Sequence, residues 1–307
     1  MRRHFPAATC IAVALMAGIA SPSIQARDSA NPVPIRIIES NGHRPQIDTK
    51  VNGIPVLAII HSNAGFYFQV NHARARELGI DRLTHVGSTG ISEPGVPTKE
   101  GEDSGRIATL TIGGVTEKNA TASIFEAIGQ RAAMIGLPWI TSHRLIIDFK
   151  HNQAWVSPTP DNVQKLHKRL LAEGYTAQPM SQNASGEYTV PVTINGQSTR
   201  LNVSTVGTVE LDSALADRAQ LSRSVSGSYA GPSGATGKTY RSDAPVTISM
   251  GDWHSRPTPV SILDTYDYIG DTRPTSPEQA NGGMIGADFL AANQAVVDFG
   301  SSTLFVK

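Results

Sequence analysis

Residues 134–156 read MIGLPWITSHRLIIDFKHNQAWV, and residues 284–306 read MIGADFLAANQAVVDFGSSTLFV. The two windows align without a gap. The Met-Ile-Gly start, the internal Asp-Phe pair and the final Val are identical, and nearly every other apolar position stays apolar. Self-similarity of this kind indicates a structural unit that occurs twice in one chain. We therefore predict two similar halves, each ending in a glycine turn, a strand, a polar turn and a second strand.

Each half also begins with the same pattern. Alternating apolar and polar residues flank Asn52-Gly53 in the first half and Asn195-Gly196 in the second. Asn-Gly between alternating segments predicts a β-hairpin, because both central residues of the tight turn take positive φ. The repeat therefore opens with a hairpin in both halves.

Several other segments follow from spacing and composition. Short helices are predicted at residues 71–78 and 213–221, one after each hairpin. Between the halves, residues 160–174 place apolar side chains at helical spacing and end at a glycine, which predicts an amphipathic linker helix. The polar, glycine-rich residues 87–104 and 226–239 are long for plain loops and are typical of lids or binding segments.

Composition excludes several classes of function. The chain has 307 residues, with 26 basic and 26 acidic side chains. A neutral balance argues against nucleic acid as a partner, because such partners demand an excess of Lys and Arg. The single cysteine, Cys10, excludes a disulfide framework. The histidines lack the helical i,i+4 pairing and the acidic companions of metal sites, so we expect no metal and no cofactor.

The N-terminus predicts a secretory signal peptide over residues 1–26. A basic Arg2-Arg3 head precedes an apolar run over residues 7–20, and small residues follow. This is the three-part plan of an export signal, and the run is short for a membrane span. We expect an exported protein, in a bacterial periplasm, with no integral membrane segment once the signal is removed.

The order of these motifs resembles the retropepsin-like, pepsin-fold aspartic peptidase superfamily, in its bacterial secreted two-repeat form. In that family each repeat has a strand that delivers an Asp-Thr-Gly turn. A hydrophobic-hydrophobic-Gly segment comes later, followed by a strand ending in Asp and an aromatic residue. The later motif is matched in both halves, by Ile135-Gly136 with Asp148-Phe149 and by Ile285-Gly286 with Asp298-Phe299.

The resemblance covers residues 33–307. It implies a mostly β, two-lobed pepsin-like (acid protease) fold, made of tandem, internally duplicated retropepsin-like β-barrel repeats with a short linker helix. The implied organisation is a signal peptide at 1–26, a first lobe at 27–158, a linker with its helix at 159–182 and a second lobe at 183–307.

The resemblance also locates the catalytic positions. Counted from each Asn-Gly turn, they fall on His61 and Ser204, and no neighbouring residue is Asp or Glu. The next residues, Ser62 and Thr205, match the hydroxyls that in the family bond across the two repeats and support the paired turns. Asp48 precedes the hairpin turn and is expected to be an outward-facing strand residue.

The missing acids bear directly on chemistry. Aspartic peptidases hold a water between two carboxyl groups that share one proton, one acting as base and the other as acid. With His61 and Ser204 in those positions, aspartic catalysis is not expected. Asp148 and Asp298, at matched strand ends before Phe, are expected to be structural acceptors of backbone hydrogen bonds.

Three functions remain open from the sequence. The first is an inactive, peptidase-like protein that binds a peptide or extended ligand in the interlobe cleft. The alternative is an active hydrolase, either of the aspartic type by fold or using His61 with Ser204 as a base and nucleophile. The third is a structural envelope protein.

Overall fold

A computed structural model describes residues 24–25, 31–39, 42–87, 91–93, 96–97, 101–126, 133–230, 235–276 and 280–307. The predicted signal peptide falls almost entirely on residues 1–23 and 26, which lie outside the described residues, and so does much of the predicted 87–104 segment. No helix among the described residues has the length and apolarity needed to cross a membrane.

The first half contains thirteen described strands and two helices. They are β1 (Ile24–Gln25), β2 (Val33–Glu39), β3 (His43–Val51), β4 (Ile54–Ile60), β5 (Phe68–Val70), α1 (His72–Glu77), β6 (Thr84–Gly87), β7 (Ile91–Glu93), β8 (Val96–Pro97), β9 (Glu102–Ile112), β10 (Val115–Ile124), β11 (Ala133–Ile135), α2 (Leu137–Ser142), β12 (Ile146–Asp148) and β13 (Gln153–Trp155).

The linker helix and the second half follow. Their elements, within the described part of the chain, are α3 (Pro160–Ala172), β14 (Thr176–Pro179), β15 (Ser181–Gln182), β16 (Tyr188–Ile194), β17 (Gln197–Val203), β18 (Glu210–Asp212), α4 (Ser213–Arg218), β19 (Arg223–Ala230), β20 (Thr236–Ser242), β21 (Ser249–Met250), β22 (Trp253–His254), β23 (Ser261–Leu263), α5 (Thr265–Ile269), β24 (Asn281–Ile285), α6 (Ala287–Ala292), β25 (Val296–Asp298) and β26 (Thr303–Val306).

The two hairpins form as predicted. β3 pairs with β4 around Asn52-Gly53, and β16 pairs with β17 around Asn195-Gly196. The asparagines have φ of 51° and 46° and the glycines have φ of 83° and 78°. These positive values are the reason that Asn and Gly stand there, because other side chains would clash with the backbone.

Each half builds the same unit around a short central strand. In the first half β11 lies between β4, which runs parallel to it, and β5, which runs antiparallel. In the second half β24 lies between β17, again parallel, and β18, again antiparallel. The duplication read from the sequence is therefore present in three dimensions, and the predicted mostly β, two-lobed fold is confirmed.

The duplicated windows meet each other where the halves join. β12 pairs antiparallel with β25, and Ile147 stands opposite Val297. Both residues are fully buried. The same sheet continues through β13 to β2 on one side and through β26 to β14 on the other. An approximate twofold axis therefore passes through the Ile147–Val297 pair.

The linker helix packs on this joining sheet. Leu166 and Leu170 of α3 are buried against Ile146, Trp155 and Phe305. Thr159 caps the helix by accepting the N–H of Asn162. The amphipathic pattern therefore covers the sheet that holds the two halves together.

Two short helices were absent from the prediction. α2 and α6 each follow the glycine of a duplicated window, Gly136 or Gly286, which serves as the N-cap. Their six residues are too few to show a helical period against the neighbouring apolar strands. The predicted 226–239 binding segment is, where described, the antiparallel hairpin of β19 and β20.

Candidate functional site

The two predicted catalytic positions lie at equivalent places. His61 follows the last residue of β4, and its N–H donates to the carbonyl of Ile135 at 2.9 Å. Ser204 follows the last residue of β17, and its N–H donates to the carbonyl of Ile285, also at 2.9 Å. In each half the central strand therefore fixes the turn that carries the candidate residue.

The neighbouring hydroxyls interlock the two turns. Ser62 Oγ accepts the N–H of Thr205 at 3.0 Å and donates to the carbonyl of Val203 at 2.8 Å. Thr205 Oγ1 accepts the N–H of Ser62 at 2.9 Å and donates to the carbonyl of Ile60 at 2.7 Å. Both side chains are buried. The four bonds form a reciprocal pair that ties the lobes together at the turns.

Ser204 does not hydrogen-bond to His61 in the described structure. Its hydroxyl is fully buried, donates to the carbonyl of Val206 at 3.0 Å and accepts the N–H of Val206 at 3.3 Å. The hydroxyl proton therefore points to a carbonyl oxygen of its own turn. A serine held in this way has no base next to it to remove that proton.

His61 is partly buried and electrically neutral at ordinary pH. Its Nδ1 accepts the N–H of Asn63 at 3.4 Å. Burial, with the positive charge of Arg44 as a second cause, lowers the pKa of His61 to about 4. A neutral imidazole can accept a hydrogen bond here, but it supplies no carboxylate to share a proton.

An apolar contact fills the space beside the second turn. Val206 is 5% exposed and packs with Ile59 and Met134 of the first lobe, with Phe66 at the edge of the cluster. The Val206 side chain therefore fills the space between the second turn and this part of the first lobe.

The first lobe contacts the same turn a second time. The N–H of Gly207 donates to the carbonyl of His43 at 3.0 Å, and the N–H of His43 donates to Asp288 Oδ1 at 2.6 Å. A Cβ on Gly42 would lie 2.6 Å from the carbonyl carbon of Gly207. Close backbone packing therefore leaves no gap between β3 and this turn.

The structure shows why both duplicated windows have a glycine at this site, Gly136 and Gly286. A Cβ on Gly136 would lie 1.8 Å from the carbonyl oxygen of Phe66. A Cβ on Gly286 would lie 2.3 Å from the carbonyl oxygen of Gly207. Both contacts are far shorter than atoms tolerate, so any side chain would push the site turns out of place.

Asp148, Asp298 and Asp48 do not contact the paired turns in the described structure. Asp148 accepts the N–H groups of Lys150 and His151, each at 3.0 Å, and Asp298 accepts the N–H of Ser301 at 2.9 Å. Both are structural turn acceptors, as predicted. Asp48 is exposed and pairs with the Arg36 guanidinium at 2.7 Å.

A buried polar network in the first lobe was not foreseen. Glu117 accepts hydrogen bonds from Trp139 Nε1 at 2.7 Å and from the Tyr67 hydroxyl at 2.5 Å, and it lies 2.6 Å from His143 Nε2. His143 Nδ1 contacts Ser157 Oγ at 2.9 Å. This Ser-His-Glu chain is closed off, because Glu117 and His143 are each 1% exposed and Ser157 is 6% exposed.

One further acid, Glu210, was not foreseen from the sequence. Glu210 begins β18, between the buried Val209 and Leu211. Burial raises the pKa of this carboxyl to about 7. A single acid between two apolar residues is the ordinary pattern of a strand with one exposed face, so only the tertiary position distinguishes it.

Two other kinds of site were considered, a metal site and a surface groove. Within the described ranges, no group of three or more His, Cys, Asp or Glu side chains is arranged to hold a metal ion. A groove of about 690 Å³ runs along the β3–β4 hairpin, lined by Ile47, Lys50 and Val56 among others. None of the turn residues of the interlobe site lines that groove.

Fold and site together define a mostly β, two-lobed protein with interlocked turns between its lobes. The chain matches no protein-family model and no curated protein. Among solved structures it is similar to basic 7S globulin from soybean, with 14% identity and a TM-score of 0.45 over 90% of this chain and 94% of that one.

Two further solved structures are similar to this chain. Conglutin gamma, a basic 7S globulin from lupine seeds, has 12% identity and a TM-score of 0.44 over 91% of this chain and 95% of that one. A retropepsin-like aspartic protease from Rickettsia conorii has 13% identity and a TM-score of 0.29 over 40% of this chain and 84% of that one. These are likenesses of fold alone.

Proposed function

We propose that this chain is an exported, aspartic-peptidase-like protein that binds a peptide or another extended ligand between its lobes without aspartic proteolysis. One observation carries the proposal. The reciprocal bonds of Ser62 and Thr205 are present, whereas the residues beside them, His61 and Ser204, carry no carboxyl group. The framework of the paired turns is thus kept without its acids.

The chemical consequence follows from the acid–base requirements of amide hydrolysis. Two carboxyl groups that share a proton activate a water and protonate the carbonyl oxygen in the same step. A positioned general base alone contributes about two to four powers of ten in rate. The neutral imidazole of His61 and the carbonyl-bonded hydroxyl of Ser204 do not reproduce this pair.

Two sheet edges support an extended ligand. Among the described strands, β6 lies at one end of its sheet and β19 at one end of the other. Each follows the short helix of its own half, so the two edges are related by the approximate twofold axis. Each edge also carries an exposed valine, Val86 at 57% and Val225 at 59%. Unpaired backbone groups on such strands can bond to an added extended chain.

Export to the periplasm belongs to the same proposal. It is supported by the basic head, the apolar run and the small residues of the first 26 positions. Expression of the full chain in a Gram-negative bacterium, with fractionation and N-terminal sequencing of the product, tests it. We expect a shortened chain in the periplasmic fraction; an uncut chain in the cytosol would contradict export.

The binding function is tested with the purified processed chain and a diverse library of extended octapeptides over pH 3 to 8. Mass spectrometry measures cleavage, and fluorescence anisotropy of labelled library pools measures binding. We expect saturable binding and no cleavage. Cleavage at acid pH that a statine-type inhibitor blocks would overturn the proposal and restore the aspartic peptidase.

The rival hydrolase is tested separately. A Ser204→Ala variant and the parent chain are compared for hydrolysis of an activated ester. Because the Ser204 hydroxyl donates to the Val206 carbonyl, we expect the same background rate from both proteins. A loss of hydrolysis in the variant would favour nucleophilic catalysis by this serine.

A further inference from the structure

The central strand unit of each lobe presents a row of side chains on the face opposite to the lobe's core. In the first lobe the paired residues are Ile59, Met134 and Gln69, which we call the first row. In the second lobe the residues at the same register positions are Asn202, Met284 and Glu210, which we call the second row.

The first row is closed. Val206 of the second lobe packs on Ile59 and Met134, so this row faces the interlobe space and is filled there. Gln69 is 1% exposed, and its Nε2 donates to the carbonyl of Phe125 at 2.9 Å. The first row therefore has no accessible polar group for a ligand.

The second row differs in both chemistry and exposure. Met284 and Glu210 are partly exposed, unlike Met134 and Gln69 at the equivalent positions. Asn202 is buried and donates to Glu187 Oε2 at 2.8 Å. The two lobes therefore present unequal faces to the cleft, one apolar and filled, the other polar and partly open.

The charged surroundings of Glu210 come from several elements. Tyr268 of α5 lies close to Glu210. Burial is the main reason that the pKa of Tyr268 is raised; the charge of Glu210 raises this pKa further, and the charge of Arg44 lowers it. Arg241 of β20 is on the same face, since Arg241 pairs with Ser261 and Ser261 pairs with Glu210. Glu187 is already engaged by the side-chain amide of Asn202.

No cation compensates the Glu210 carboxylate in the described structure. Burial is the cause of its raised pKa. Among the described residues no hydrogen bond or ion pair reaches this carboxyl either. A buried carboxylate gains most from a partner that brings a positive charge and N–H donors.

We propose that Glu210 forms a subsite in the interlobe cleft for a positively charged group of the ligand, of the size of a lysine or arginine side chain. The inference rests on the proposed function and names the ligand class, a basic extended peptide. Met284 beside Glu210 offers an apolar surface for the methylene stem of such a side chain. An acidic ligand group would instead meet the uncompensated carboxylate and be repelled.

Binding of a cation at Glu210 is coupled to the release of a proton, so the affinity depends on pH. Only the ionised carboxylate pairs with a cation, so binding releases a proton and strengthens as pH rises through about 7. Lysine and arginine side chains keep their charge over this range. We expect the affinity for a basic peptide to rise about tenfold between pH 6 and pH 8.

The first test uses a small probe that does not depend on peptide binding. The carboxyl carbons of glutamate are labelled with ¹³C, and the Glu210 resonance is identified by its loss in Glu210→Gln. We expect saturating n-butylguanidinium to lower the pKa of Glu210 by about one unit and the neutral isostere n-butylurea to leave it unchanged. An unchanged pKa with n-butylguanidinium would overturn the inference, whatever peptides do.

The second test uses peptides from the octapeptide library in matched sets with lysine or arginine, norleucine or citrulline, and glutamate. We expect the parent chain to bind basic peptides at least tenfold more tightly than their neutral isosteres. We expect Glu210→Gln to bind basic peptides and their neutral isosteres with equal affinity. Glu77→Gln, which removes an exposed carboxylate on α1, is the matched control and should retain the preference.

The outcomes separate the two proposals. Peptide binding without a preference for basic residues would overturn the subsite and leave the proposed function in place. A guanidinium-dependent pKa shift without any peptide binding would support the cation subsite and overturn the peptide-binding function. Tighter binding of the acidic set would contradict the subsite and point to Arg44 or Arg241 instead.

Discussion

Ser62 and Thr205 exchange hydrogen bonds across the two lobes, each hydroxyl accepting the backbone N–H of the other residue. Each hydroxyl also donates to the carbonyl of the last strand residue on the opposite side, Val203 or Ile60. The arrangement is symmetric although the two side chains differ. These four bonds join the two candidate turns directly.

This link predicts coupled stability effects. Ser62→Ala and Thr205→Val should each cost about 1–3 kcal/mol of unfolding free energy, because each leaves a buried N–H and a buried carbonyl without a partner. The double variant should cost less than the sum, by about 0.5–3 kcal/mol, because the first change already loosens the interlock. Urea denaturation of the four proteins measures the cycle.

A matched control for that cycle is Ser226→Ala on the exposed β19 strand, where the change should be within about 0.5 kcal/mol of zero. Strict additivity of the Ser62 and Thr205 changes would show that the two turns do not act as one unit.

The apolar plug predicts a second effect. Val206→Ala removes two methyl groups from the contact with Ile59 and Met134 and should cost about 1–3 kcal/mol. Val225→Ala, at a position 59% exposed, should cost little. Thermal unfolding measures both variants, and binding of an apolar dye reports whether space opens between the lobes.

Equal small effects at Val206 and Val225 would mean that the cleft is not filled at the second turn. A stable Val206→Ala chain with increased dye binding would support an interlobe cleft that the valine partly occupies.

The sequence was sufficient for the repeated parts of the fold. The identical Gly and Asp-Phe of the duplicated windows predicted two matched halves, and Ile147 does pair with Val297 between them. The Asn-Gly turns predicted both hairpins because positive φ requires those residues. Local chemistry and repetition carried this information without any knowledge of long-range contacts.

The interlobe contacts could not be predicted in the same way. That Val206 packs on Ile59 and Met134 depends on how the lobes are oriented, which no local pattern encodes. Glu210 lies beyond the turn that the family resemblance selects, and its raised pKa comes from burial by distant segments. The residue types at His61 and Ser204 were readable, but their hydrogen-bond partners were not.

The buried network of the first lobe predicts acid sensitivity. Burial alone would raise the pKa of Glu117, but hydrogen bonds from His143, Tyr67 and Trp139 outweigh it and hold the pKa below its usual value. A carboxyl with a depressed folded-state pKa adds stability above its unfolded pKa, and this stability is lost as pH falls through the folded value.

Glu117→Gln should therefore cost about 3–5 kcal/mol at pH 7, because one amide oxygen cannot serve the donors that converge on the carboxylate. The difference from the parent chain should be smaller at pH 3 than at pH 7, because lowering the pH moves the parent carboxyl towards its protonated form. Urea denaturation at both pH values measures this, and exposed Glu77→Gln is the control. A constant difference at both pH values would contradict the role of the charge.

The neutrality of His61 is open to direct measurement. Burial and the charge of Arg44 lower the pKa of this imidazole to about 4, so its NMR resonance should not titrate between pH 8 and 5. Comparison with His61→Gln identifies that resonance. Because the unfolded chain binds the proton first as pH falls from about 6.5 towards 4, the imidazole should reduce stability in that window, and the Gln variant should lose this part of the pH dependence. Titration of His61 near 6.5 would mean that water reaches the ring. It would contradict the burial of His61 between the lobes.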